Sequence, residues 1–127
     1  MMDAATFFNL EQSEHQFMGN VREHAKARGW LDYHTHIAKR SAEGFPDLVL
    51  VRDGRLVFAE LKREKPTPCS PSMHVKLDPT PAQQQWLDEL AGFAVRANML
   101  PARDGMPTVW VALWRPSDWP EIERVLR

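Results

Sequence analysis

The sequence predicts a mixed α/β domain, with helices around one sheet of about four strands, and three observations carry that expectation. Residues 47–51 (DLVLV) and 56–61 (LVFAEL) are β-rich runs on either side of an Asp53-Gly54 pair. Asp-Gly between such runs favours a two-residue hairpin turn. Two helix starts have capping-box spacing, Ser13 with Gln16 and Thr80 with Gln83. A separate apolar run, VWVAL at 109–113, adds a strand after the second helix. The order is helix, three strands, helix, strand, helix.

Each element can be justified in turn. Residues 1–9 read as a loose arm. The first helix starts near Ser13, carries an apolar stripe of Phe17, Val21 and Ala25 flanked by Met18, and ends at Gly29. Residues 30–37 read as a strand and 38–45 as a loop. The hairpin runs are almost continuously apolar, which places them centrally in the sheet with both faces covered. Residues 63–79 contain Pro66, Pro68, Pro71 and Pro79 and have no periodicity. The expectation there is a long mobile loop, unusual enough in a compact domain to suggest a function. The second helix has Pro81 in its first turn and continues through Trp86, Leu87 and Leu90 to about Phe93. A loop at 96–107 leads to the fourth strand. Residues 118–126 close as a short helix, with Asp118 and Glu121 at capping spacing.

The 127 residues correspond to one domain, 1–127, large enough to bury a core. With 43% hydrophobic and 26% charged residues the chain is globular rather than disordered. No apolar run has transmembrane length and the first residues lack signal-peptide character, so the expected location is the cytoplasm. Cys69 is the only cysteine, which rules out an internal disulfide. The net charge of −1 is unusual for a nucleic-acid-binding domain, which is normally basic. Carboxylates that bind a divalent cation would account for part of that deficit.

The hairpin register brings chemistry-bearing residues together. With Asp53 and Gly54 as the turn, Arg52 faces Arg55 and Asp47 faces Glu60. Facing residues have Cβ atoms roughly 4.5–5.5 Å apart. Lys62 follows Glu60 by two residues and so projects from the same face, with Val49, Val51, Leu56 and Phe58. The other face, Leu48, Leu50, Val57, Ala59 and Leu61, carries no charge. Two opposed carboxylates repel unless a cation lies between them, and a hard divalent cation suits oxygen ligands. Lys62 beside them can orient water and stabilise charge developing on a phosphate. The plainer alternative is a solvated hairpin end with Glu60 and Lys62 as a surface ion pair. Glu14 shares the helix stripe with Phe17 and Val21, although an acid in a first turn also suits the helix dipole. Gln83 shares a face with Trp86, Leu87 and Leu90, but its spacing from Thr80 favours a capping role.

These segments resemble the VRR-NUC branch of the PD-(D/E)XK nuclease superfamily. Pro46-Asp47 followed by Glu60-Leu61-Lys62 is similar to the superfamily signature in order and spacing. Ser13-Glu14 before a helix ending at Gly29-Trp30, then His34, resembles the family's opening, and Gly44-Phe45-Pro46-Asp47-Leu48 its central segment. Thr80-Pro81-x-Gln83 with Trp86-Leu87, and Trp114-Arg115-Pro116-Ser117-Asp118, resemble its later segments. The resemblance implies a restriction-endonuclease-like core and a Mg²⁺-dependent endodeoxyribonuclease, with Mn²⁺ able to substitute. Hydrolysis would leave 5′-phosphate ends. It implies that Asp47, Glu60 and the Leu61 backbone carbonyl hold the metal and that Lys62 activates water. Glu14 would complete the acidic cluster through water, and Gln83 would contact the site. Short stand-alone relatives are phage and bacterial proteins, some acting on branched DNA as dimers. A bacterial cell or phage-infected host, a DNA partner and a homodimer are thus among the implied settings, with no membrane and no nucleotide cofactor. The segment between Lys62 and Thr80 and the 96–107 loop are longer than the family pattern suggests.

Lys39, Arg40, Ser41, Arg63 and Arg115 are candidate DNA contacts. His34 with His36, and Cys69 with His74, lack the further ligands a metal site needs. Trp86 and Trp110 sit in core patterns, whereas Trp30, Trp114 and Trp119 flank element ends; core packing is the expected role for most of them. The alternative function is a non-catalytic nucleic-acid-binding or assembly module on the same fold. A small-molecule phosphohydrolase is disfavoured by the lack of a Gly-rich phosphate loop.

Overall fold

Helix α1 (Glu14–Ala27) begins where Ser13 and Gln16 close a reciprocal capping box, with Ser13 Oγ accepting from Gln16 N–H and Gln16 Oε1 from Ser13 N–H. The computed structural model describes residues 12–35, 42–66, 74–100 and 105–127. The stripe Phe17, Val21, Ala25 is fully buried, joined by His24, whose ring lies edge-on to Trp119 at 5.0 Å. Gly29, at φ +84°, turns the chain into β1 (Leu31–His34). This strand is shorter than the expected 30–37. Trp30 is a core side chain rather than a strand residue, and 36–37 lie outside the described residues.

Strands β2 (Leu48–Arg52) and β3 (Arg55–Leu61) form the expected hairpin. Asp53 and Gly54 both take positive φ, +48° and +75°, as a type I′ turn requires. The register pairs Arg52 with Arg55 and Leu48 with Ala59. The expected 63–79 loop in fact contains a second, two-stranded sheet, β4 (Glu64–Pro66) against β5 (His74–Lys76). Strands of three residues are too short to show a period of two, and Pro66 reads as a breaker, so pattern alone does not reveal them.

Helix α2 (Pro81–Ala97) opens with the Thr80–Gln83 capping box and runs past the expected end near Phe93. Gly92 does not stop it, because Ala94 to Ala97 continue in helix-compatible residues and Asn98 provides the terminus. The Asn98 amide also pairs with both the N–H and the carbonyl of Val109, tying the helix end to β6 (Val109–Trp114). A 3₁₀ turn (Pro116–Asp118) precedes α3 (Trp119–Val125). Asp118 does not cap α3 with its side chain; its carboxylate accepts from the Arg115 N–H behind it, and Glu121 accepts from the Trp114 indole.

The main sheet has the order β1-β2-β3-β6, with β1/β2 and β2/β3 antiparallel and β3/β6 parallel. One face packs Leu48, Leu50, Val57, Ala59 and Leu61 against α1 and α3 in a single apolar core. The hairpin is central, but its faces are not equally covered. On the opposite face Phe45 bridges Phe58 (6.3 Å) and Trp86 of α2 (5.1 Å), whereas Val51, Leu31 and Tyr33 remain exposed. The tryptophans divide in a corresponding way: Trp30, Trp114 and Trp119 are the deeply buried ones, while Trp86 and Trp110 are half-buried. The Arg52 and Arg55 guanidiniums lie over the Trp30 ring, 4.8 and 4.9 Å from its centroid, and the Trp30 indole donates to Leu126 O. Arg55 and Arg52 donate to the carbonyls of Val125 and Arg127, so the α3 end is held from the hairpin. No helix among the described residues is long and apolar enough to cross a membrane.

Gly44 lets the loop before β2 approach the start of α2. It has φ +90°, and a Cβ there would lie 2.4 Å from the Ala82 carbonyl carbon and 2.7 Å from the Gln83 nitrogen. Backbone on both sides leaves nothing flexible to yield. Gly44→Ala is expected to destabilise the fold by about 2–4 kcal/mol, measured by urea denaturation. A loss under about 0.5 kcal/mol would show that the loop and helix can separate freely.

Candidate functional site

The site forms where β2 begins and β3 ends, and it exists because the hairpin ladder cannot continue there. Continuing the observed register by one pair sets Asp47 across from Glu60, and by two sets Pro46 across from Leu61. Leu48/Ala59, Leu50/Val57 and Arg52/Arg55 occupy the hydrogen-bonded positions of this two-residue hairpin, so Pro46/Leu61 falls on the next such position. Proline has no N–H to offer the Leu61 carbonyl. The Leu61 N–H is taken instead by the Asp47 carboxylate at 2.8 Å.

Asp47 is held on its other side by Thr35, just past β1. Its carbonyl accepts from Thr35 N–H at 2.9 Å, and Thr35 Oγ1 donates to Pro46 O at 2.8 Å. Thr35 was not singled out from the sequence, where it is one polar residue between two histidines with no local signal. Its role emerges only from pairing across the sheet.

Glu60 is 1% exposed, and its Oε2 is buried with no hydrogen-bond partner. Burial first, then the Asp47 charge and a side-chain hydrogen bond with Asp47, push its pKa from 4.5 up to about 8. Lys62 acts in the opposite direction and Glu14 adds to the rise, so Asp47, Lys62 and Glu14 all lie within electrostatic reach of Glu60. Lys62 is itself buried, and its N–H donates to Trp114 O at 3.0 Å, extending the β3/β6 ladder beyond Leu61. Glu14 occupies the first position of α1 and is exposed, at the solvent end of the buried stripe.

The structure thus brings together Asp47, Glu60, Lys62 and Glu14. Gln83 is committed differently: its Oε1 accepts from Thr80 N–H at 2.8 Å in the capping box, although Gly44 packs against its backbone. Arg115 ties the chain before α2 to the end of β6, donating to Leu77 O at 2.9 Å with Asp78 3.8 Å away. Arg63 adjoins Lys62 and is half-buried. Lys39, Arg40 and Ser41 lie outside the described residues, as do His36 and Cys69. A further acid, Glu64, is 2% exposed and accepts from Ser117 N–H at 2.8 Å. Sequence reading passed over it because nothing in its polar, proline-containing segment marks one glutamate as buried.

Among the described residues no group of three or more His, Cys, Asp or Glu side chains is arranged as a metal cage. A Mg²⁺-type site needs less, because that ion keeps several waters and takes one or two carboxylates. The donor set here fits such an ion. Asp47 and Glu60 are adjacent oxygen donors, the Glu60 Oε2 lacks a partner, and the Leu61 carbonyl faces a proline. Comparison with known proteins gives no match to a protein family, a curated protein or a solved structure.

The Glu60 shift has a sign that can be tested. The folded chain keeps this proton between about 4.5 and about 8, where the unfolded chain releases it. Its contribution to stability is complete below pH 4.5 and is lost as pH rises through about 8. In EDTA, Glu60→Gln should match wild type near pH 5 and exceed it by about 1–3 kcal/mol near pH 9, by urea denaturation. A difference that does not vary with pH would mean that Glu60 titrates as an ordinary carboxylate.

Proposed function

We propose that the protein is a metal-dependent endodeoxyribonuclease with a restriction-endonuclease-like core of the VRR-NUC type. One observation carries this reading. Two carboxyls, Asp47 and Glu60, are forced together on the main sheet, with an unpartnered buried oxygen on one and the Lys62 ammonium beside them. A purely structural site would gain stability from replacing Glu60, because a buried, partly unsatisfied carboxyl is costly. Its retention makes sense if the missing partner is a cation.

Mg²⁺ or Mn²⁺ bound there would neutralise the two carboxylates, draw a phosphoryl oxygen and make water easier to deprotonate. The chain's own groups supply the rest. Asp47 and Glu60, the latter in its deprotonated form, would hold the cation, and the Leu61 carbonyl would offer a neutral third oxygen. Lys62 is placed to orient the attacking water and hold charge that develops on the phosphate. Water adds to phosphorus, the bond from phosphorus to the 3′ oxygen breaks, and a 5′-phosphate and a 3′-hydroxyl result. Glu14, at the open end of the site, contributes negative charge that favours the cation.

Purified protein incubated with plasmid, linear and four-way-junction DNA, in Mg²⁺, Mn²⁺ or EDTA, tests this. Cleavage is expected with either metal and not in EDTA. Asp47→Ala and Lys62→Ala should each lower the rate by at least about 10²-fold. Asp47→Ala and Glu60→Ala should each weaken Mg²⁺ binding measured by calorimetry. Wild type that cuts none of the substrates overturns the enzymatic reading; cleavage that survives in both Asp47→Ala and Lys62→Ala overturns the site.

A further inference from the structure

The β4–β5 ribbon leaves the body one residue after Arg63, directly beside the candidate centre, and the proposed function gives it no role. Its charge is distinctive. Residues 63–76 carry three cations, Arg63, Lys65 and Lys76, against one carboxylate, Glu64, in a chain whose net charge is −1. The single acid does not neutralise Lys76 at the surface. The register sets Glu64 opposite Lys76, yet Glu64 is buried and accepts from Ser117 N–H, whereas Lys76 is exposed.

The base of the ribbon is fastened to the body on both strands. Glu64 binds the 3₁₀ turn after β6, and Arg115 holds the Leu77 carbonyl at the end of β5. A two-stranded ribbon of three-residue strands is marginal by itself in water. Two polar anchors, one of them the buried Glu64, on such a small element fix its position relative to Lys62, which is what a binding arm needs and a spacer does not. Two-stranded ribbons are of a size that DNA grooves admit, and lysines and arginines along them meet phosphates.

We propose that the β4–β5 ribbon is a DNA-backbone-binding arm, in which Arg63 and Lys76 hold duplex phosphates flanking the bond to be cut. This rests on the DNA-hydrolysis reading and assigns the duplex contact that the acidic centre cannot make. The arm positions substrate; it does not take part in bond cleavage.

Fluorescence anisotropy of a labelled duplex in EDTA, from about 50 to about 200 mM salt, measures the arm without cleavage. Arg63→Gln/Lys76→Gln should bind about tenfold more weakly, and its plot of log affinity against log salt should be shallower by about two. Its Mg²⁺ affinity and its kcat at saturating DNA should equal wild type, with the change confined to KM. Lys26→Gln, a lysine of α1, serves as the control and should leave the slope unchanged. An unchanged slope in the double variant, or an equal change in Lys26→Gln, overturns the arm. If wild type binds and cleaves while the double variant behaves the same, the arm alone fails. If wild type neither binds nor cleaves DNA, the nuclease reading fails with it.

Discussion

Pro46 stands where the β2–β3 ladder would need one more N–H, and much of the site's geometry depends on that interruption. The strands cannot stay zipped, so the Leu61 N–H turns to the Asp47 carboxylate and the Leu61 carbonyl loses its ladder donor. Asp47 is then held from both sides, through Thr35 just past β1 and Leu61 on β3. That places it against Glu60, whose burial and nearness to Asp47 disfavour its charged form. The meeting of the two carboxyls thus follows from main-chain pairing.

The rest of the fold supports this point from two sides. Beneath it, the apolar face of β2 and β3 packs on α1 and α3, and the two arginines over Trp30 secure the end of α3. Above it, Gly44 and Phe45 wedge the approaching chain against α2. The first face is a dense core; the second is a thin contact between a loop and a helix. Packed between them, the end of β3 is itself buried at Glu60, Leu61 and Lys62. The difference between the two faces explains why Leu31, Tyr33 and Val51 are exposed on the sheet's β1 side.

Polar contacts also link the site to its surroundings. Glu64, Ser117, Arg115 and Asp118 form a chain of contacts between the ribbon, the end of β6 and the 3₁₀ turn. Lys62 joins the same region through Trp114 O. The base of the ribbon and the backbone that carries Lys62 thus share the end of β6 as a common support.

Much of this was legible locally. Asp53-Gly54 specifies the turn because few residue pairs tolerate two consecutive positive φ angles, and the turn alone sets Asp47 opposite Glu60. The capping boxes at Ser13 and Thr80 place both long helices, since their hydrogen bonds span only three residues. Contacts between distant segments were not legible. Thr35 and Glu64 acquire roles only by pairing with Pro46 and Ser117. The three tryptophans at element ends become the deepest because those ends converge on the core. Strands β4 and β5 are too short to leave a period. The sequence by itself determined the hairpin register and hence which charged residues meet, because both are set by backbone angles over a few residues. Only the tertiary structure decided how deeply Glu60 is buried and what surrounds it, because desolvation depends on every segment that packs around the group.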